Sequence, residues 1–394
     1  MARNPAESLD DFARAKLEAL EAQALRRRLI ETDRREGSVA FRDGRRLVSF
    51  CCNDYLNLSQ NGAVKRAAIE ATEKYGTGSG ASRLVSGNHP LFRELEMRLA
   101  NWKQAEDCVV FGSGYMANLG IIPTLTREGD LIVADELSHA CLLSGSKLSG
   151  AHVEIFRHND MAHLEALLAA HRGNAQHCLV VTDGIFSMDG DAAPVAEMAE
   201  IARHHDAWLM TDDAHGLGVV GHEGRGSSFM GHAKADVPLQ MGTLSKAIGA
   251  YGGYLCASAP VSDLIRTRAR TLIYSTGLPP GTAAAAIAAL DFIRDNPDYC
   301  RRPVEKARAF TRALSLPDPE SPIVPLILGD AEVTLAASML LEAEGYLVTG
   351  IRPPTVPAGT ARLRFTFTAE HDDADIARLA SIVGEKILSR AAAE

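Results

Sequence analysis

The apolar positions near the start of the chain repeat with the spacing of one helical face. Within residues 8–30, apolar side chains recur at steps of three, four or one, at Leu9, Phe12, Ala13, Leu17, Leu20 and Ala24. This spacing predicts an amphipathic helix over residues 8–30, and Ser8 is suited to cap its start. The apolar face has to be buried, either against the body of the protein or against a second chain.

The middle of the chain carries a different pattern, in which helical stretches alternate with short β-rich runs that are apolar on both faces. Between about residues 60 and 290 these runs are DCVVFGSG, DLIVADELSH, HCLVVTDGIFS, AWLMTDDAHG, PLQMGTLSK and GGYLCAS. Such runs are typical of strands in a largely parallel sheet covered by helices. Most of them end in Gly, Ser, Thr, Asp or His, which turns and helix caps also favour. Because ligands bind beyond the carboxyl ends of parallel strands, we expect these polar ends to converge on one site.

The two ends of the chain predict smaller units. Residues 38–58 predict a hairpin with Asp43 and Gly44 at its turn. After residue 290, the segments RRPVEKARAFTRAL, SPIVPLILG, TLAASMLLEAEGYLV and ARLRFTFTA, with a final helix over residues 373–390, predict an α+β tail. We therefore expect an α/β protein with an N-terminal helix and hairpin arm (residues 1–54), a large domain with a mainly parallel sheet (residues 55–291) and a smaller C-terminal α+β domain (residues 292–394).

Composition narrows the class of protein. The chain has 394 residues, of which 46% are hydrophobic and 23% charged, as in ordinary soluble enzymes. The net charge of −9 argues against a nucleic-acid surface. Seven cysteines without a disulfide-type spacing indicate reduced thiols and a cytoplasmic protein. No apolar run approaches the roughly 18 residues of a membrane span, and the N-terminus lacks the apolar stretch of a signal peptide.

One lysine stands in unusually uncharged surroundings. Lys246 lies in GTLSKAIGAYGGY, residues 242–254. A desolvated lysine loses basicity, and an amine that sheds its proton is a nucleophile. In TDDAHGLG, Asp212 ends another apolar strand and His215 follows it. Asp212 alone would be interpreted as a helix cap, but this set suits pyridoxal 5′-phosphate, since a lysine binds its aldehyde and a carboxylate keeps its pyridine nitrogen protonated.

A phosphate group needs a helix N-terminus with free amides. FGSGYMANLG supplies one, and the candidate phosphate ligands are Ser113, Gly114, Tyr115 and Thr243. The same loop also fits the looser dinucleotide fingerprint, with Ala117 in third place and Asp135 ending the next strand. That alternative leaves Lys246 unexplained.

Histidines elsewhere give weaker signals. His139 follows another predicted strand, where a lone histidine is most often a capping or surface residue. Metal chemistry would need a tight ligand cluster, and His215 with Asp212 or Asp213 is the only local candidate in the sequence. We therefore expect no metal.

Taken together, these segments resemble the α-oxoamine synthases, pyridoxal-phosphate enzymes with the aspartate-aminotransferase type of fold. The resemblance covers nearly the whole chain and is carried by FCCNDYLNL, GSGASRLVSGNHPLFRELE, DGIFSMDGD, DDAHGLGVVG, IYSTGLPP and IRPPTVPAGTARLR. The last segment is the most specific, because sibling enzymes diverge after the proline pair. Two positions depart from the family pattern: Cys precedes Asn in CCNDYL where Ser is usual, and Ser precedes Lys in GTLSK where some members have Gly. Neither departure removes a functional group.

The resemblance implies a role for each matching residue. Lys246 matches the Schiff-base lysine and the base for the α-proton, Asp212 the partner of the pyridine nitrogen, and His215 the contact to the phenolic oxygen. His139 matches the imidazole stacked on the ring, and Ser187 a serine beside it. The phosphate site is matched by Ser113, Gly114, Tyr115 and Thr243, with Thr276 reaching it from a second subunit. Asn53 and Arg352 match contacts to the substrate carboxylate, and Arg26 matches a further substrate arginine.

The implied reaction is a decarboxylative condensation of L-alanine with a pimeloyl thioester of coenzyme A or acyl carrier protein, early in biotin biosynthesis. The implied unit is a homodimer with a shared active site. The nearest alternatives are sibling synthases that use glycine with acetyl, succinyl or long acyl thioesters. An alternative of another class is an inactive paralogue serving as a dimeric scaffold, which the intact Asp212, His215 and Lys246 disfavour.

Overall fold

The computed structural model describes residues 5–389, and the elements that follow lie within that range. The α-helices are α1 Pro5–Glu21, α2 Gly62–Tyr75, α3 Pro90–Lys103, α4 Gly114–Leu125, α5 Ala140–Ser149, α6 Met161–His171, α7 Val195–His204, α8 Ala259–Arg268, α9 Arg270–Ile273, α10 Pro280–Asp295, α11 Arg302–Ala313, α12 Ala331–Ala343 and α13 Asp373–Val383. The strands are β1 Asp33–Arg34, β2 Val39–Arg42, β3 Arg45–Ser49, β4 Asp107–Phe111, β5 Leu131–Asp135, β6 His152–Phe156, β7 Cys178–Asp183, β8 Trp208–Asp212, β9 Leu239–Thr243, β10 Gly253–Ala257, β11 Ile323–Gly329, β12 Tyr346–Leu347, β13 Thr349–Ile351 and β14 Ala361–Thr366. No helix in this part of the chain is long and apolar enough to cross a membrane.

A seven-stranded sheet forms the centre of the protein, in the order β4-β10-β9-β8-β7-β5-β6. Its neighbouring strands are parallel, except that β10 runs antiparallel to both β4 and β9. The predicted, mainly parallel sheet is confirmed, and the six apolar runs of the middle region are six of its strands. The seventh strand, β6, was not predicted, since its sequence HVEIF begins with alternating polar and apolar residues.

Both faces of this sheet are covered, as the doubly apolar strands require. In β10, Tyr254 and Cys256 belong to one hydrophobic core, which includes residues of α2, α3 and α10. Leu255 and Ala257 point to the other face, into a core that includes residues of α4, α5 and α8. The alternation of a strand between two cores therefore fixes its register in the sheet.

Two small sheets complete the fold. Strands β11, β14 and β13 form an antiparallel sheet in the C-terminal region. The predicted hairpin is confirmed as β2 and β3, with Asp43 and Gly44 at positive φ in its turn. Strand β3 also pairs in parallel with β12, and Val48 and Phe50 belong to the C-terminal core. The arm thus packs on the C-terminal region, while the three-part division of the chain stays a prediction.

The terminal helices differ from the predicted ones. The first helix covers Pro5–Glu21 rather than residues 8–30. The chain leaves the helical path because the backbone takes a positive φ at Ala24. Beyond this turn, the side chains of Arg26 and Arg28 form ion pairs with Glu21. None of the residues of this helix is buried within one chain. At the other end, α13 stops at Val383 and continues as a π-helical turn over Gly384–Leu388. Residue 390, the predicted end of that helix, lies outside the described residues.

Candidate active site

The carboxyl ends of the parallel strands bring polar side chains to one edge of the large sheet. Asp183 ends β7 and Asp212 ends β8, and the two residues are partners in the register of these strands. Asp212 pairs in turn with Met241 of β9, so that Thr243 and the segment carrying Lys246 follow directly beside it. The expected convergence of strand ends is therefore present in the fold.

Lys246 meets charged groups that its neighbours in sequence do not reveal. Its Nζ lies 2.6 Å from Nε2 of His215. Burial lowers the pKa of Lys246 to about 8, although the carboxylates of Asp212 and Asp183 act in the opposite direction. A lysine with this pKa is partly neutral near physiological pH, as a nucleophile or a base requires.

His215 connects Lys246 to a tyrosine from the N-terminal segment. Its Nδ1 is 2.6 Å from the hydroxyl of Tyr55. Burial, reinforced by the charge of Lys246, holds the pKa of His215 well below its ordinary value. Burial also raises the pKa of Tyr55 to about 12. His215 is thus a neutral imidazole held between an amine and a protonated hydroxyl.

Asp212 is buried and oriented by two donors. The backbone amide of Ala214 donates to Oδ1 at 3.0 Å, and Asn118 donates to Oδ2 at 2.7 Å. Burial and the neighbouring Asp212 raise the pKa of Asp183 well above its ordinary value. The buried carboxyl group of Asp212, held by these two donors, is placed to pair with a protonated pyridine nitrogen.

His139 caps α5 through its ring. Nδ1 accepts a hydrogen bond from the backbone amide of Cys141 at 3.2 Å and lies 2.7 Å from the thiol of the same residue. Because an amide can only donate, the proton of the neutral ring resides on Nε2. Burial lowers the pKa of His139, so it offers an N–H donor rather than a positive charge. Its own backbone amide donates to Asp183 at 2.6 Å.

The predicted phosphate residues surround the start of α4. Ser113 is its N-cap and accepts from the amide of Met116, which leaves the amides of Gly114 and Tyr115 at the open end of the helix. A Cβ atom on Gly114 would lie 3.2 Å from the end of the Met241 side chain and 3.4 Å from Thr243, so the start of the helix lies close against β9. A helix N-terminus beside a threonine hydroxyl suits a phosphate group.

Asp135 argues against the dinucleotide alternative. Its carboxylate accepts from the backbone amides of Leu137 and Asn159 and contacts His158 at 3.0 Å. It is completely buried. An acidic residue used in this way is not available to a ribose hydroxyl, whereas the residues around Lys246 fit pyridoxal phosphate.

A buried arginine that was not predicted lies beside two of the predicted residues. Arg364 donates from Nη1 to Oδ1 of Asn53 at 3.1 Å and from Nε to the carbonyl of Ser187 at 2.5 Å. Its Nη2 is buried and has no hydrogen-bond partner. Tyr55 also contacts Asn53, at 3.3 Å. An unpaired guanidinium nitrogen in this position is suited to a carboxylate.

The predicted substrate arginines form a second, more exposed group. Arg352 donates to the backbone carbonyl of Arg26 at 2.7 Å, while the guanidinium of Arg26 pairs with Glu21 at 3.2 Å. Arg27 and Arg28, rather than Arg26, line a cavity of about 470 Å³ together with Arg352. The structure brings Arg352 and the Arg26–Arg28 segment together, with Arg26 turned to another partner.

Thr276 and Gly112, the residue before Ser113, line the same small cavity. Thr276 is exposed and forms a backbone bridge with Ser82. Large exposed apolar side chains are found in the same two segments, at Leu84, Val85 and Tyr274. A contact between Thr276 and the phosphate site of a second subunit stays a prediction.

The chain matches the family model "Aminotransferase class I and II" over residues 45–383. It is 84% identical to a Parvibaculum lavamentivorans protein provisionally named as 8-amino-7-oxononanoate synthase, over 98% of this chain and 100% of the relative. It is 58% identical to 8-amino-7-oxononanoate synthase of Beijerinckia indica, over 98% of this chain and 99% of the relative. Serine palmitoyltransferase from S. paucimobilis, solved with a bound PLP–myriocin aldimine, superposes with a TM-score of 0.91 at 28% identity, over 100% of both chains.

Proposed function

The chain belongs to the 8-amino-7-oxononanoate synthase family within the class I and II aminotransferases, and we propose that it condenses L-alanine with a pimeloyl thioester, with loss of carbon dioxide, to give 8-amino-7-oxononanoate in an early step of biotin biosynthesis. It is a transferase whose cofactor is pyridoxal 5′-phosphate. What carries the assignment of the chemistry is the lowered basicity of Lys246 beside a neutral His215. Free cysteine thiols support the cytoplasm as the compartment.

The candidate site has a residue for each part of the cofactor. Asp212 would hold the pyridine nitrogen, His215 the phenolic oxygen, and His139 the face of the ring, with Ser187 beside it. The phosphate would lie at the start of α4, held by Ser113, Gly114, Tyr115 and Thr243. When bound, the cofactor supplies an electron sink for negative charge at the α-carbon, both on deprotonation and on decarboxylation.

Lys246 is proposed as the group that first holds the cofactor and then removes the α-proton. A pKa of about 8 leaves a useful fraction of the amine neutral at the pH of the cell, while the protonated form remains a competent acid. His215, 2.6 Å away, keeps the amine in one position by a hydrogen bond. A neutral imidazole does this without adding a positive charge that would oppose reprotonation.

Asp212 is proposed to keep the pyridine nitrogen protonated. Its two donors, Asn118 and Ala214, fix the carboxylate before the cofactor arrives. The fixed charge of Asp212 therefore costs no reorganisation during the reaction.

We assign recognition of the amino acid carboxylate to Arg364 and Asn53, in place of the Arg352 that the resemblance implies, and leave Arg352 and the Arg26–Arg28 segment for the acyl donor or its carrier. Arg364 is buried and has an unused Nη2, whereas Arg352 lies beside a cavity of about 470 Å³. A carboxylate of an amino acid is small and needs a close, desolvated partner. A long acyl chain with a distal carboxyl group needs room and cations along a wider opening.

A second candidate function follows from the similarity to serine palmitoyltransferase. It is the condensation of serine with a longer acyl group. The two functions share the cofactor chemistry and differ in the substrates. They are separated by a matrix of L-alanine, glycine and L-serine against acetyl, succinyl, pimeloyl and palmitoyl thioesters, with coenzyme A and acyl carrier protein as carriers. The specificity constant is expected to be highest for L-alanine with a pimeloyl thioester, and Lys246→Ala is the blank.

Glycine should still react slowly with the pimeloyl donor. The two amino acids differ by one methyl group, which is worth about 1–3 kcal/mol in a binding pocket. A maximum with L-serine and palmitoyl thioester, or with glycine and a short donor, would overturn the proposed substrates and leave the cofactor chemistry intact. If the purified protein showed neither cofactor absorbance nor turnover, the alternative of an inactive dimeric scaffold would be favoured.

A further inference from the structure

Three side chains of metal-binding type converge on the outer strand of the large sheet. Nε2 of His152 lies 2.8 Å from Oε1 of Glu154, and Nε2 of His171 lies 3.7 Å from the same oxygen. One ligand atom from each residue lies within 4.8 Å of the other two. The two imidazole rings are 5.8 Å apart between centroids.

The topology of the sheet explains this meeting. His152 and Glu154 are two residues apart on β6 and therefore point to the same face of the strand. Helix α6 returns along that face, and His171 is its last residue, so it comes back to the end where β6 begins. The spacing of the three residues in the sequence does not reveal the cluster, so the expectation of no metal did not take it into account.

We propose that His152, Glu154 and His171 bind one divalent transition-metal ion of the zinc type. Bonds of 2.0–2.1 Å in a tetrahedral site place neighbouring ligand atoms about 3.3–3.4 Å apart. The two measured separations from Glu154 Oε1, 2.8 and 3.7 Å, lie on either side of this value. Small side-chain rotations therefore suffice to surround an ion, and water completes the tetrahedron.

The ligand set favours zinc over magnesium or calcium. Imidazole nitrogens suit zinc, nickel and copper, whereas magnesium and calcium prefer oxygen ligands. The side chain of His152 is 61% exposed, which gives an ion direct access from solvent. Arg172, which follows His171 in the sequence, forms an ion pair with Asp206 at 2.7 Å. It therefore does not compete with the histidines for the carboxylate of Glu154.

The position of the cluster indicates a structural effect rather than a catalytic one. His152 pairs with Leu131, the first residue of β5, whereas Asp135 at the other end of that strand lies at the edge that carries the candidate active site. An ion at His152 would join the outer strand to the end of α6. It should stabilise the folded state, because the unfolded chain has no preformed site.

The test uses the holoenzyme after dialysis against a chelator. Zinc is titrated by calorimetry, and cobalt is added in parallel because its visible absorption reports tetrahedral nitrogen and oxygen ligation. We expect one ion per chain and a higher melting temperature with zinc. His152→Ala, Glu154→Gln and His171→Ala should each weaken binding by more than the roughly 10- to 100-fold that loss of a supporting hydrogen bond costs.

His204→Ala serves as the control, since His204 is exposed on α7 and lies outside the cluster. Its zinc affinity and melting temperature with zinc should match those of the unchanged protein. A stoichiometry near zero would show that the three side chains form an ordinary ion-paired group. Undiminished binding in the three variants would place the ion elsewhere, and either result overturns the proposal.

Discussion

The ammonium group of Lys103 lies 3.0 Å from Oδ2 of Asp213, and both side chains are completely buried. Lys103 also donates to the carbonyl of Arg225 at 2.5 Å, and Asp213 accepts from the amide of Ser227 at 2.9 Å. A Cβ atom on Gly226 would lie 1.9 Å from the Asp213 carboxylate, so only glycine allows this loop to pass. The pair therefore ties α3 and the 225–227 segment to the residue that follows Asp212.

A buried ion pair is costly to break on one side. Lys103→Met leaves the Asp213 carboxylate buried without its counter-charge, and we expect it to lower the free energy of unfolding by about 3–5 kcal/mol. The double variant Lys103→Met, Asp213→Asn should recover part of that loss, because it removes both charges. Urea denaturation of the purified proteins measures both effects.

The matched control is Arg312→Met, which removes an exposed partner of Asp318. Exposed ion pairs contribute little, so its denaturation midpoint should be unchanged. If Lys103→Met were as stable as the unchanged protein, the pair would not anchor the loops around the candidate site.

Lys246 is expected to be the residue that holds the cofactor covalently. Reduction with borohydride should fix the cofactor to the peptide that contains Lys246, and Lys246→Ala should retain its fold and lose turnover by several powers of ten. Lys147→Ala, on α5, is the control and should keep both the label and the activity. Label on any other lysine would contradict the assignment.

Most strands of the large sheet were predictable because both of their faces are buried. Part of the candidate site was predictable because the strands end at one edge of the sheet. The six predicted strands of the large sheet are apolar on both faces, whereas the outer strand β6 contains His152 and Glu154 and gives a weaker pattern. The reversed direction of β10 was not predictable, since side-chain periodicity is the same in either direction. Asp212, His215 and Lys246 were found because strand ends must share an edge.

The partners of these residues depend on contacts between distant segments. Tyr55 is 160 residues from His215, Asn118 is 94 residues from Asp212, and Arg364 is 311 residues from Asn53. Only folding reveals which of them meet. Arg364 did leave one signal, an arginine between Leu363 and Phe365 in the β-rich strand ARLRFT, where a buried charge calls for a partner.

His158 is expected to make stability depend on pH. Its ring lies 3.0 Å from Asp135 and 2.7 Å from Asp191, and although burial opposes it, these carboxylates raise the pKa of His158 to about 10. The folded state then binds more protons than the unfolded state between about pH 6.5 and 10, so this contribution is complete below pH 6.5 and is lost as the pH rises through 10.

The difference in unfolding free energy between the unchanged protein and His158→Gln should therefore be largest at low pH within the folded range and vanish above about pH 10. Denaturant titrations at a series of pH values measure it. His232→Gln, a change at an exposed histidine, is the control and should give a difference that stays small at every pH. A difference that grows with pH would show that His158 is neutral in the folded protein.

Arg364 and Arg352 can be distinguished by their effects on the two substrates. Arg364→Gln removes the buried donors beside Asn53, and hydrogen bonds to charged groups are worth about 1.5–3 kcal/mol, which corresponds to a roughly 10- to 100-fold loss of affinity for the amino acid. The change in cofactor absorbance on adding L-alanine measures that affinity directly. Arg352→Gln should leave it unchanged and raise KM for the acyl donor. If Arg352→Gln weakened the binding of L-alanine and Arg364→Gln instead raised KM for the acyl donor, the amino acid carboxylate would lie at Arg352.

The last prediction concerns the second subunit. Thr276 is exposed, and the exposed apolar side chains Leu84, Val85 and Tyr274 belong to the segments around it. If these segments form the dimer interface, Thr276 reaches the phosphate site of the partner. Thr276→Glu places a negative charge there and should repel the phosphate.

Mixing tests this sharing of a site. Lys246→Ala and Thr276→Glu chains are each expected to be inactive alone, but a mixed dimer contains one site with an intact Lys246 and an intact Thr276. Random reassociation at equal concentrations should therefore recover about a quarter of the activity of the unchanged dimer. If Thr276 served its own chain, every site in the mixture would carry one of the two changes and no activity would return. A monomer by light scattering would equally exclude the shared site, because the site would then have to be complete within one chain.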